Sequence, residues 1–204
     1  MNTLPATAAD VLHFWLGDDL KRDWPEPHRG DLWFKGGAAV DAEITARFGP
    51  LVAQALAGGL SDWEGAPMRR LALILLLDQF TRNVHRGQAQ AFAGDTRAQA
   101  LALRTVAQGE DMPLPRAARL FVYMPLMHAE DLALQERCVA CFEQLLADAP
   151  PPLRDTLADN LRYAQLHRDI VAQFGRFPHR NAVLGRASTA AELEFLKDGP
   201  RFGQ

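Results

Sequence analysis

Three stretches of this chain carry more polar side chains than their apolar surroundings require, and each holds groups that do chemistry. In the first, Asp78, Gln79, Arg82, Asn83, His85 and Arg86 crowd into nine residues directly after an apolar run. In the second, YMPLMHAED from Tyr123 to Asp131, His128, Glu130 and Asp131 stand together. In the third, FGRFPHRN from Phe174 to Asn181, Arg176, His179, Arg180 and Asn181 surround Gly175 and Pro178, which restrict the backbone. Arg82, Arg86, Arg176 and Arg180 offer forked donors that match a carboxylate or phosphate. His128 and His179 suit proton transfer, with Asp78, Glu130 and Asp131 to orient such groups. The candidate ligand-binding cluster is therefore Asp78, Gln79, Arg82, Asn83, Arg86, His128, Glu130, Asp131, Arg176, His179, Arg180 and Asn181. The same residues also fit a structural role, as carboxylate–arginine locks between helices.

No catalytic residue can be assigned, because the chain shows no nucleophile motif, phosphate loop or cofactor fingerprint, and no cofactor is expected. A metal site built from His128, Asp131, His167 and His179 has suitable ligand types but no H-E-x-x-H or comparable spacing. His167 also falls in the stripe Ala164, His167, Val171, Phe174, where a satisfied core histidine is the commoner outcome, so no metal is expected. The lone C-x-x-C pair, Cys138 and Cys141, sits in the apolar stripe Leu134, Cys138, Cys141, Phe142, Leu145 and reads as two small core residues.

These side chains need helices to hold them. Leu71 to Leu77 are seven apolar residues in a row, covering every side of two helical turns, so this helix must be wrapped by neighbours. If it continues past Asp78, then Asp78, Arg82 and Arg86 stack at i, i+4 and i+8, with Gln79 and Asn83 beside them. Charges at the edge of a core are paired or kept for a ligand. Upstream, Thr7 and Asp10 form a capping box for a helix ended by Gly17, and residues 18–30 read as a loop anchored by Trp24, Trp33 and Phe34. A helix over 39–58 has a candidate break at Gly49-Pro50 and is closed by Gly58-Gly59. The central helix starts near Pro67.

Downstream, Asp95 caps a helix ended by Gly109, and Pro113 and Pro115 open another that Pro125 interrupts. A helix over about 127–147 places Asp131 in line with its core face, where free N–H groups and the helix dipole suit a carboxylate. A long helix over about 153–174 follows. Thr189 and Glu192 form a second capping box, and residues 200–204 read as a frayed tail. No period-2 run appears, so strands are not expected. The expectation is one all-α domain over residues 1–204, with eight to ten mostly antiparallel helices joined by short connections. No internal repeat of ~34 residues is visible.

The 204 residues are 48% hydrophobic and 23% charged, with net charge −3 and pI near 6.1. That balance argues against a general nucleic-acid or anionic-membrane binder. No apolar run reaches the ~18 residues needed to span a bilayer, and the N-terminus shows no secretory signal, so a cytoplasmic location is expected.

Taken in order, LDQFTRNVHRG at 77–87, YMPLMHAED at 123–131 and the stretch from His167 to Leu196 resemble the bacterial family catalogued as domain of unknown function 924. FWLG at 14–17 and WF at 33–34 extend the likeness over nearly the whole chain. Two positions depart from the family pattern: Thr81 stands where proline is usual, and Ala129 where serine is usual. The resemblance implies an all-helical fold of the tetratricopeptide-like α–α superhelix type and implies no particular activity. The leading functional reading is a helical scaffold that binds a protein or peptide, with the polar motifs as locks. The alternative is a small-molecule binding protein, or a hydrolase or transferase, acting on an anionic metabolite through the Arg/His cluster. The expected partner is thus a protein or a small anionic ligand.

Overall fold

The computed structural model describes residues 6–200 and 202. Among them are nine α-helices and no strand: α1 Ala8–Leu16, α2 Ala38–Leu56, α3 Pro67–Leu75, α4 Thr81–Val84, α5 Asp95–Ala107, α6 Arg116–Met127, α7 Leu132–Ala147, α8 Arg154–Phe174 and α9 Ala190–Asp198. The local signals act as their chemistry dictates. The Thr7 N–H donates to Asp10 Oδ2 at 2.7 Å, and the Thr189 N–H to Glu192 Oε2 at 2.7 Å, each half of a reciprocal box that satisfies two orphan donors. Pro67 opens α3, where its missing N–H costs nothing. None of the helices in the described residues is long and apolar enough to cross a membrane.

The fold divides into two compact units. One gathers the chain through His85 together with Gln90–Pro125, and the other gathers Arg86–Ala89 together with the chain from Leu126 onward. In unit one, every residue from Leu71 to Leu77 is at most 1% exposed, as an all-round apolar helix requires. Helix α3 packs against α1 and α5. Around Phe80, the rings of Phe14 and Trp15 meet it edge-on at 5.9 and 5.3 Å, and Phe48 lies 5.1 Å away. Such pairs add ~0.5–1.5 kcal/mol each beyond the area they bury. In unit two, α7 and α8 form a helical hairpin across the proline-rich turn at 148–153, and Ile170, Val171 and Phe177 form a small core with Phe174, Phe195 and Phe202 against it.

Several local expectations give way to tertiary contacts. Pro50 lies inside an unbroken α2 and Pro125 inside α6, so neither ends its helix; each deletes a single backbone bond that packing on either side outweighs. Helix α7 begins at Leu132, not near 127, and the break at 128–131 isolates His128 and Glu130 on a connection. The central helix does run on past Asp78, through a π-helical turn at Leu76–Phe80. There both the N–H and the hydroxyl of Thr81 donate to the Leu76 carbonyl, the latter at 2.7 Å. It ends at Val84, however, so Arg86 leaves the expected stack and stands exposed in a turn closed by Gly87 at φ +75°.

Asp95 does not cap α5. Gly94 occupies that position, backed so closely on the Leu77 carbonyl that a Cβ would collide with it. Asp95 instead faces Arg82, whose Nη1 lies 3.0 Å from Asp78 Oδ1 and 2.9 Å from Asp95 Oδ1. All three side chains are no more than 13% exposed. Removing the cation would leave two buried carboxylates without its neutralising charge, so Arg82→Ala is expected to cost ~3–5 kcal/mol, read as a lower urea midpoint by circular dichroism. Asp95→Asn, which leaves the Asp78 pair intact, costs less. An unchanged midpoint in Arg82→Ala would refute the lock.

Candidate functional site

The candidate residues divide between the units. Asp78, Gln79, Arg82 and Asn83 belong to unit one and are consumed there by structure. Gln79 Nε2 donates to Asp78 Oδ2 at 2.6 Å, and Asn83 Nδ2 reaches Asp41 Oδ1 of α2 at 2.8 Å. Burial works against the charge on Arg82, but the carboxylates of Asp78 and Asp95 outweigh it and raise its pKa. Two carboxylates already match this guanidinium, which leaves it little to offer an anion.

In unit two, the chain after α8 is tied down by two arginine–carboxylate forks. Arg176 donates through Nε to Glu192 Oε1 at 2.6 Å and through Nη2 to Glu192 Oε2 at 2.8 Å. Glu192, the capping-box residue of α9, therefore serves two roles, and hydrogen bonding by Arg176 lowers its pKa to about 2. This pair lines a groove of about 440 Å³ with Gln173, Phe174, Thr189 and Ala191. The second fork joins Arg186 Nη1 and Nη2 to Glu130 Oε2 and Oε1 at 2.6 and 2.9 Å. Glu130 Oε1 also accepts the Phe177 N–H at 2.8 Å, and Arg186 Nε donates to Asn181 Oδ1 at 3.0 Å. Burial alone would raise the Glu130 pKa, but the bonds from Arg186 and Phe177 dominate and lower it. Arg186 and Glu192 were not among the sequence candidates; the available signal was that the motif charges Glu130 and Arg176 each need a counter-charge, but those partners lie 56 and 16 residues away.

The three histidines of the second and third motifs and of α8 meet. The His128 and His167 ring centroids are 6.2 Å apart, and Phe177 lies 5.6 Å from both His167 and His179. His128 is presented by the α6–α7 connection, which the fully buried Gln135 holds by donating to the Met127 and Ala129 carbonyls at 2.6 and 2.7 Å. His167 Nδ1 lies 2.7 Å from the Tyr163 carbonyl and must carry the proton there, leaving Nε2 with its lone pair. Burial, then the neighbouring His128, lowers the His167 pKa to about 3; burial, then Arg180, lowers that of His179 to about 4. Both rings are neutral near pH ~7. His179 Nδ1 is buried without a hydrogen-bond partner among the described residues. Arg180, 6% exposed, lays its guanidinium 4.5 Å from the centre of the Phe177 ring.

Asp131 does not join this group. It is exposed and caps α7, accepting the Leu134 N–H at 3.0 Å. Among the described residues, no group of three or more His, Cys, Asp or Glu side chains is arranged to hold a metal ion. Cys138 and Cys141 are both buried in α7, and burial pushes the Cys138 thiol well above its usual range. Of the tail expected to fray, residues 201, 203 and 204 lie outside the described residues, whereas Phe202 stacks on His167 with centroids 3.8 Å apart.

The model of a family described as "bacterial protein of unknown function (DUF924)" matches residues 11–200. A solved structure of a protein of unknown function from Agrobacterium tumefaciens is 36% identical, with a TM-score of 0.78 over 94% of this chain and 97% of that one. No curated protein matches the chain.

Two outcomes follow from this geometry. Asp131→Ala should cost ~1 kcal/mol through loss of the α7 cap, measured by urea denaturation, and a loss several times larger would mean that Asp131 does more than cap. The histidine cluster sets a pH dependence. The unfolded chain takes up protons on these rings near pH 6.5, whereas the folded chain does so only near 4 for His179 and near 3 for His167. The stability they contribute is therefore complete above 6.5 and is lost as pH falls through that value toward 4. Between about pH 7 and about pH 5 the urea midpoint should fall, and fall less in His167→Gln; equal falls in both proteins would contradict the assignment.

Proposed function

The chain belongs to this family of bacterial proteins of unknown function, and on that premise we propose that unit two binds a small anionic ligand at His128, His167, His179 and Arg180. One observation carries the reading: His179 Nδ1, a lone-pair-bearing or proton-bearing nitrogen of a neutral ring, is buried beside the Arg180 guanidinium with no hydrogen-bond partner among the described residues. A buried polar atom left unpaired costs ~1–3 kcal/mol, a cost that a ligand supplying the missing partner removes. Arg180 supplies the charge that selects an anion. His128 and His179 are both half-buried, within reach of solvent and of a ligand. A neutral imidazole such as that of His179 exchanges protons with a bound group or with a water that attacks it, the chemistry of a hydrolase or transferase acting on an anionic metabolite.

A second reading, a helical scaffold for a protein or peptide, draws support from a different observation. Asp78, Arg82, Asn83 and Arg176 are all spent on ties inside their own units, as a structural role for the motifs requires. That reading accounts for the locks and for the superhelix that the family likeness implies. It leaves the histidine cluster without a task.

Native mass spectrometry on protein purified gently from its own host, set against the denatured mass, tests the first reading. The expected outcome is a small additional mass that denaturation releases and that His179→Ala, folded by circular dichroism, lacks. A clean apo mass in both proteins, with no movement of histidine ring resonances on adding phosphate or acetate, would leave the scaffold as the better account.

A further inference from the structure

Met112 offers its sulfur to solvent and to a buried cation at once. It stands in the turn between α5 and α6 and is 52% exposed. Arg119 of α6, only 4% exposed, donates from Nη2 to Met112 Sδ at 3.4 Å and from Nε to the Tyr123 hydroxyl at 3.1 Å. That hydroxyl donates in turn to Oδ2 of the buried Asp111, next to Met112 in the chain. Burial, then the bond to Asp111, raises the Tyr123 pKa, so the phenol keeps its proton and remains a donor. The guanidinium thus reaches a carboxylate through a phenol on one side and ends on a thioether on the other. Sulfur is a weak acceptor, and a buried cation is better matched by oxygen. Met68 and Met124 are partly buried and Met127 is buried, so among these four methionines Met112 is the one that solvent reaches best.

We propose that Met112 is a modification site for hydrogen peroxide, and that its sulfoxide oxygen takes over the Arg119 N–H and fastens the α5–α6 turn to α6. A sulfur lone pair attacks one peroxide oxygen, and the S–O bond forms as the O–O bond breaks. The proton on the transferred oxygen passes to the departing hydroxide, which leaves as water. Sulfur is oxidised and peroxide is reduced by the same electron pair, so the step needs no other reactant. A methionine oxidised inside a core disrupts its packing by setting a polar group among apolar ones. Met112 stands half in solvent on a flexible stem, free to step back and turn the new oxygen toward the guanidinium. Oxidation at this position therefore tightens the fold, and sulfoxide reductases can reverse it.

The test treats the full chain with dilute hydrogen peroxide, maps the oxidised peptides by mass spectrometry and measures urea midpoints by circular dichroism. Met112 should gain one oxygen ahead of Met68, Met124 and Met127. The midpoint of the protein oxidised at Met112 should rise, and the Arg119 Nε–H resonance should move. Met112→Gln, which sets an amide oxygen near the place of the sulfoxide oxygen, should have a higher midpoint than Met112→Leu without any peroxide. At the dose that modifies Met112 in the wild type, neither variant should change. Oxidation of Met68 or Met124 as fast as Met112 would remove the modification site. A midpoint that stays or falls on oxidation, or a Met112→Gln midpoint no higher than that of Met112→Leu, would overturn the bond to Arg119.

Discussion

The Glu130 carboxylate is the constraint on which the arrangement of the histidines in unit two depends. It projects from the short break between α6 and α7 and takes the Phe177 N–H and both prongs of Arg186. Arg186 carries the restraint on to Asn181 and to the Phe177 carbonyl. One anion thus gathers the connection that bears His128 and the turn that bears His179 and Arg180. Fork-to-fork pairing suits this task because two parallel bonds fix orientation as well as distance, which a lysine would not do. The pair is about one-quarter exposed on each side, so its contribution lies between that of a surface ion pair and that of a buried one. Its main effect is on geometry.

Unit one applies the same device for a different purpose. The fully buried stem from Leu71 to Leu77 ends in Asp78, a charge that the core cannot tolerate alone. Arg82 neutralises it across one turn and, through Asp95, also fastens the start of α5. Gly94 permits this because only a residue without a Cβ lets the backbone close against Leu77. Here polar residues that look like a binding cluster are the means of ending a buried helix. In unit two similar residues leave a histidine nitrogen unmatched. That difference in pairing separates the two motifs, although their compositions are alike.

Much of this was legible along the chain. The two capping boxes, Pro67 at the start of α3, the burial of Leu71 to Leu77, and Cys138, Cys141 and His167 as core residues all follow from spacing within one or two turns. Errors arose where a local rule met a distant partner. Asp95 has the chemistry of a cap, but Arg82 claims it. Asp131 lines up with an apolar stripe, yet α7 starts one residue later and leaves it outside, at the cap. Pro50 and Pro125 are helix breakers by local steric rules and are carried by the packing around them.

The amino-acid sequence alone determined the all-helical class, the positions of most helix ends and the identity of the motif residues. These depend on backbone propensity, capping and a repeat of 3.6 residues, all of which act between near neighbours. Only the tertiary structure decided which carboxylate each arginine would meet and which histidines would face one another. Glu130 and Arg186, or His128, His167 and Phe202, stand far apart in the chain. Pairings of that kind are chosen by how helices pack and by the cost of leaving a buried charge unmatched. That cost is set by an environment that forms only once the helices have come together.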